Sequence, residues 1–153
     1  MSSFMSELRV IPLPDGKNWK LTRPFSYHVG SQHSKTIIKV PAGFVTDFAS
    51  IPTFIIAVLG LIGIYIGNHW GINQLFLLGI VSVLCASVMP RWGKYGKAAV
   101  IHDYLYHIKM FNRRMSDGIF LEAMKVLGVV YVERYAMYYA VRWLAFLSWK
   151  YHK

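Results

Sequence analysis

From Phe48 to Pro90 the chain carries no Asp, Glu, Lys or Arg. An uncharged interval of this length has to be taken out of water somewhere, and that requirement constrains the fold more than any other feature. The interval holds two apolar blocks, "IPTFIIAVLGLIGIYIG" and "QLFLLGIVSVLCASVMP", joined by "NHWGIN", and reads as a helical hairpin. Each block is about 17 residues, roughly 25 Å of helix, which is short for a hydrocarbon core of about 30 Å. Arg9, Lys17, Lys20, Arg23, Lys35 and Lys39 precede the hairpin, Arg91, Lys94 and Lys97 follow it, and the connecting loop has no formal charge. The positive-inside rule therefore predicts a transmembrane hairpin in a bacterial inner membrane with both termini cytoplasmic, and places His69 and Trp70 at the far interface. The competing reading buries the helical pair inside an oligomer. Gly60, Gly63, Gly67, Gly71 and Gly79 suit close helix packing in either setting.

With 153 residues the chain is one domain's worth of protein. Its 55% hydrophobic content and mean hydropathy of +0.36 imply contact with lipid or a partner. A net charge of +10, from 17 Lys and Arg against 7 Asp and Glu, favours acidic partners. Membrane lipid is preferred, because the basic residues flank apolar runs. Nucleic acid is disfavoured by the lack of an arginine-rich tail, zinc-ligand spacing or a helix-turn-helix pattern. The single Cys85 excludes an intramolecular disulfide and reads as a small buried hydrophobe. The opening "MSSFMSELRV" lacks the layout of a signal peptide.

Outside the hairpin, "LRVIPL", "WKLTRPFSYHV" and "KTIIKV" read as strands, with Asp15-Gly16 as a hairpin turn. "KAAVIHDYLYHIKM" and "SDGIFLEAMKVLG" read as helices, the second with Ser116 as N-cap and Asp117 in its first turn. A last aromatic helix, "VVYVERYAMYYAVRWLAFLSWKYHK", is too charged for a third span. The expected fold is α+β: a small N-terminal antiparallel sheet (1–50) packed on C-terminal helices (91–153), interrupted by the hydrophobic hairpin (51–90).

The chemistry concentrates in "VIHDYLYH". His102 and Tyr106, four residues apart, share a helix face, while Asp103 points about 100° around the axis. Asp117, on the next helix, reaches His102 only if the antiparallel pairing is offset by a turn or more. A carboxylate-held imidazole can act as a general base. Asp47 is a further candidate partner, and His102 with Asp47 or Asp103 could hold a divalent metal. The same residues, with Ser50, could equally form a satisfied buried network joining strand to helix. Ser50 lacks the flanking glycines of a nucleophile elbow. Arg113 and Arg114 could hold a phosphate, although a solvated loop is the simpler reading.

Two resemblances follow from these residues. "VPAGFVTDFASIP", "GKYGKAAVIHDYLY", "RRMSDGIFLEAMKVLG" and "YYAVRW", in that order, resemble the phage and prophage family known as domain of unknown function 1353. This implies a compact α+β domain of unassigned activity, with the hairpin as an insertion. The His-Asp pair, the Tyr four after the His, and the later Asp are also similar to the active-site helices of secreted phospholipase A2. That likeness implies His102 as base, Asp117 as its orienting partner, Asp103 as a calcium ligand and Tyr106 as support, although "PAGF" is a poor calcium loop. Two expectations result. One is a membrane-associated phage hydrolase acting on lipid or cell envelope, with His102, Asp117 and Asp47 as its catalytic residues and Ser50, Tyr106 and Arg114 in support. The other is a non-enzymatic membrane, virion or assembly component that binds copies of itself or other phage proteins.

Overall fold

The computed structural model describes residues 3–31, 33–48, 53–88, 94–144 and 149. The chain divides into two compact units, residues 1–49 with 92–153 and residues 50–91.

Among its described residues the first unit carries six short strands: β1 (Ser3–Phe4), β2 (Val10–Pro12), β3 (Trp19–Leu21), β4 (Phe25–His28), β5 (Ile37–Val40) and β6 (Val45–Thr46). They form two antiparallel sheets of three strands, ordered β1-β4-β5 and β2-β3-β6, where the sequence suggests one. The single run "WKLTRPFSYHV" divides at Thr22–Pro24, so its halves serve different sheets. Asp15-Gly16 makes the predicted turn, with Gly16 at φ 65°. The Asp15 carboxylate accepts from the Lys17 and Asn18 amides at 2.9 Å, and these bonds hold its pKa below the usual carboxylate value.

Along β4 and β5 every second residue turns inward. Phe25 faces Val40 and Tyr27 faces Ile38, all four buried. Against β5 and β6 packs helix α3 (Gly96–Ile108), whose Ala98 and Ala99 allow a close approach. It is followed by α4 (Arg113–Val126), on which α5 (Tyr131–Leu144) packs. Lys109, in the left-handed conformation at φ 50°, ends α3 and bonds back to the Leu105 carbonyl. The α4 N-cap is Asn112, which accepts from the Met115 amide at 2.9 Å. Ser116, expected to cap this helix, is buried within it and donates to the Asn112 carbonyl at 3.2 Å.

The second unit holds the chain's first two helices, α1 and α2, called hα (Thr53–Trp70) and hβ (Asn73–Val88) for their place in the hairpin and joined by a turn with Gly71 at φ 68°. These form the expected hairpin. Their seam is made by glycine: a Cβ at Gly79 would lie 2.6 Å from the Gly60 carbonyl oxygen. The expected span is not found among the described residues. Among the described residues no helix is long and apolar enough to cross a membrane, which corrects both the transmembrane hairpin and the inner-membrane location with cytoplasmic termini. The 16 described residues of hβ rise about 24 Å against a hydrocarbon core of about 30 Å. The 18 residues of hα are spent partly on Asn68, His69 and Trp70.

Candidate functional site

The polar centre of the first unit lies where α3, α4 and α5 meet. Because α4 begins at Arg113, three residues ahead of the expected cap, Asp117 lies beyond the first turn and is offset along α3 as the pairing requires. His102 Nε2 lies 3.1 Å from Asp117 Oδ1, and the Tyr106 hydroxyl donates to the same oxygen at 2.6 Å. Arg142, from the last turn of α5, donates to Oδ2 at 3.0 Å. Arg113 in turn donates to the Arg142 carbonyl at 3.1 Å, tying the start of α4 to the end of α5.

This centre is closed. His102 and Tyr106 are each 3% exposed and Asp117 0%. The imidazole ring lies between Tyr106 and Phe120, with centroids 4.2 and 4.8 Å away, and Trp149 meets Tyr106 edge-on at 4.9 Å. Burial lowers the His102 pKa below its ordinary value despite the neighbouring carboxylate. Burial also works against ionisation of Asp117, but the bonds from His102, Tyr106 and Arg142 outweigh it and hold its pKa below the usual value. For Tyr106, burial first and the hydrogen bond to Asp117 second push the pKa upward, so the phenol stays a donor. A neutral His102 facing an ionised Asp117 carries its proton on Nε2 and donates it.

The other candidates lie elsewhere. Asp103 accepts from the Thr46 hydroxyl at 2.5 Å, and Thr46 Oγ1 accepts from the Phe48 amide at 3.0 Å. This tie holds Phe48 at φ 60°, a left-handed conformation that costs a non-glycine residue about 1–2 kcal/mol. Asp47 and Arg114 are exposed, and no hydrogen bond or ion pair among the described residues joins either to His102 or Asp117. Ser50 and the side chain of Cys85 lie outside the described residues. Among the described residues no group of three or more His, Cys, Asp or Glu side chains is placed to hold a metal ion.

Sequence reasoning missed two members of the polar framework. From the sequence Arg142 reads only as one of the charges on the last aromatic helix, and nothing singles out Glu122. The Glu122 carboxylate accepts from the Tyr27 hydroxyl and the Gly30 amide, both at 2.8 Å, and so ties β4 to α4. For Glu122 the available signal was its place among few acids on a largely apolar helix face.

Among the described residues, two small antiparallel sheets with α3 packed against them, and a polar network closed where α3, α4 and α5 meet, define an α+β domain interrupted by an apolar hairpin. A family model described as Protein of unknown function (DUF1353) matches residues 19–68 and 76–141, most of the chain. The chain belongs to that family. The matched ranges enter both hairpin helices and leave out the turn between them, so they do not mark the hairpin as an insertion. No curated protein and no solved structure matches the chain.

Proposed function

We propose that the protein is a non-enzymatic assembly component, in which the first unit is a locked platform and the hairpin is the element that engages another polypeptide. The observation that carries this reading is the closure of the His102–Asp117 centre, with His102 3% exposed and both Asp117 oxygens occupied by donors. A general base must reach the proton that it abstracts. A buried, charge-compensated network instead fixes one arrangement of helices. The phage and prophage setting implied by the family resemblance is in keeping with a virion or assembly role.

A second reading, a hydrolase, is favoured by one feature: Asp117 orients His102 Nε2, which would leave Nδ1 as the basic nitrogen. One experiment separates the two readings. Release of fatty acid and lysolipid from anionic vesicles is measured by mass spectrometry, with divalent metal and with chelator, for the native chain and for His102→Asn, alongside thermal melts of both. The expected result is no release by the native chain and a lowered melting temperature for His102→Asn. Release that vanishes in a folded His102→Asn would overturn the platform reading.

A further inference from the structure

We infer that the junction of α3, α4 and α5 is an acid-operated switch, in which a proton taken up by His102 displaces the Arg142 guanidinium from Asp117 and releases the end of α5 from α4. The centre holds one carboxylate and two groups able to carry positive charge. With His102 neutral, Asp117 is balanced by Arg142 at 3.0 Å and the cluster has no net charge. A proton from water adds at His102 Nδ1 while Nε2 goes on donating to Asp117 Oδ1, so the imidazole becomes a second cation on the same carboxylate. Among the described residues Asp117 is the only acid that acts on His102. On α3 its neighbour is Tyr106, an uncharged phenol, and Asp103 turns away to Thr46. From α4 come Asp117 and Phe120, and from α5 Arg142. Arg113, bonded to the Arg142 carbonyl, and Lys109, 5.6 Å over the Trp149 ring that meets Tyr106, are further cations. The strands packed on α3 bury Ile38, Val40 and Thr46, while Lys39 is exposed.

A buried cluster with excess charge is costly, and the cation that leaves is the one with a path to water. The Arg142 side chain is 28% exposed and stands in the last turn of α5. The His102 side chain is 4% exposed and held between Tyr106 and Phe120. Arg142 therefore departs, and Asp117 stays paired with the imidazolium. Its departure takes away the bond to Asp117 and loosens the Arg113 tie to its carbonyl, which together fasten the end of α5 to α4. A helix of 14 residues without its docking partner is marginal in water. Because burial lowers the His102 pKa, docking is complete above the ordinary imidazole value of 6.5 and is lost as pH falls below it. The switch needs only the closed centre, and operates alike in an assembly component or a hydrolase.

The test is an NMR titration of the His102 ring, assigned by its loss in His102→Asn, with amide exchange read helix by helix in the full chain from about pH 7.5 to about pH 4.5. Asp117 titrates below its ordinary 3.8, outside this range. In the native chain, exchange corrected for its intrinsic pH dependence is expected to quicken about tenfold or more in α5 on acidification, with α3 and α4 unchanged. Arg142→Gln, which removes the competing cation, is expected to exchange fast in α5 throughout and to bind the His102 proton about tenfold more tightly, titrating at higher pH. Arg142→Lys, which returns the charge, is expected to bring that titration back toward native, and His102→Asn to keep α5 exchange slow across the range. Exchange that rises together in α3, α4 and α5 overturns the switch, since it reports unfolding of the whole unit. So does α5 exchange unchanged down to the lowest pH, a His102 titration unmoved or lowered in Arg142→Gln, or an acid response that persists in folded His102→Asn. Should His102→Asn not fold, the Arg142→Gln titration decides.

Discussion

Asp117 keeps its negative charge at a fully buried position because three donors on two neighbouring helices converge on its oxygens. Removing the carboxylate leaves those donors, including a guanidinium, without their acceptor. Asp117→Ala should therefore lower stability by about 3–5 kcal/mol in urea denaturation. The pH dependence follows from the two lowered pKa values. His102 binds its proton less readily folded than unfolded, so stability is level above its ordinary value of 6.5 and falls as pH drops below it. Asp117 adds a second loss, starting below its ordinary value of 3.8 and continuing as pH falls through its lower folded value. His102→Asn should abolish the first fall and retain the second in urea melts taken across this range. Part of this centre is readable in the sequence, because a spacing of four puts His102 and Tyr106 on one face whatever else the chain does. Arg142 is not readable, since its approach depends on how α5 crosses α4. Asp103, next to His102 in sequence, turns away to Thr46 because adjacent helical residues diverge by about 100°.

The helices make demands that differ sharply from glycine to glycine. A Cβ at Gly63 would meet its nearest neighbour at 3.5 Å, an ordinary contact, whereas one at Gly67 would fall on the Phe76 backbone. Gly67→Ala should thus loosen the hairpin while Gly63→Ala leaves it intact, read as amide exchange in residues 53–88 with exchange in 94–144 unchanged. On α4, a Cβ at Gly118 meets nothing within 4 Å, so Gly118→Ala should raise stability by about 0.5–1 kcal/mol in the same urea assay. Asn112→Ala, which removes the cap, should lower it by about 1 kcal/mol. The hairpin and the helices of the first unit were legible because apolar blocks and turn residues alternate so plainly. Their ends were less so: Asn112 and Ser116 are both good caps by composition, and it is Asn112 that caps while Ser116 is buried within the helix. The misread membrane span has a related origin, for an apolar count gives no weight to the Asn68, His69 and Trp70 on which hα ends.

Across the whole molecule the 17 basic residues far outnumber the 7 acids, and several acids are already committed to internal bonds, Asp117, Asp103 and Glu122 among them. Self-repulsion follows, and the melting temperature of the native chain should rise as the Debye length shrinks from about 30 Å at 0.01 M salt to about 8 Å at 0.15 M. The charge and the apolar interval are plain in the sequence, but the particular ties between the two ends of the chain are not, because they depend on how strands and helices far apart in sequence meet. Those ties have a consequence for biosynthesis. Tyr27 bonds to Glu122 across 95 positions, and Asp117 waits for Arg142 still further along. The hairpin, by contrast, needs only its own consecutive residues. On the ribosome it is therefore complete first, and its sticky surface is on display while the unit that carries it is still half-made. By the assembly reading, the hairpin can therefore meet its partner while residues 92–142 are still emerging.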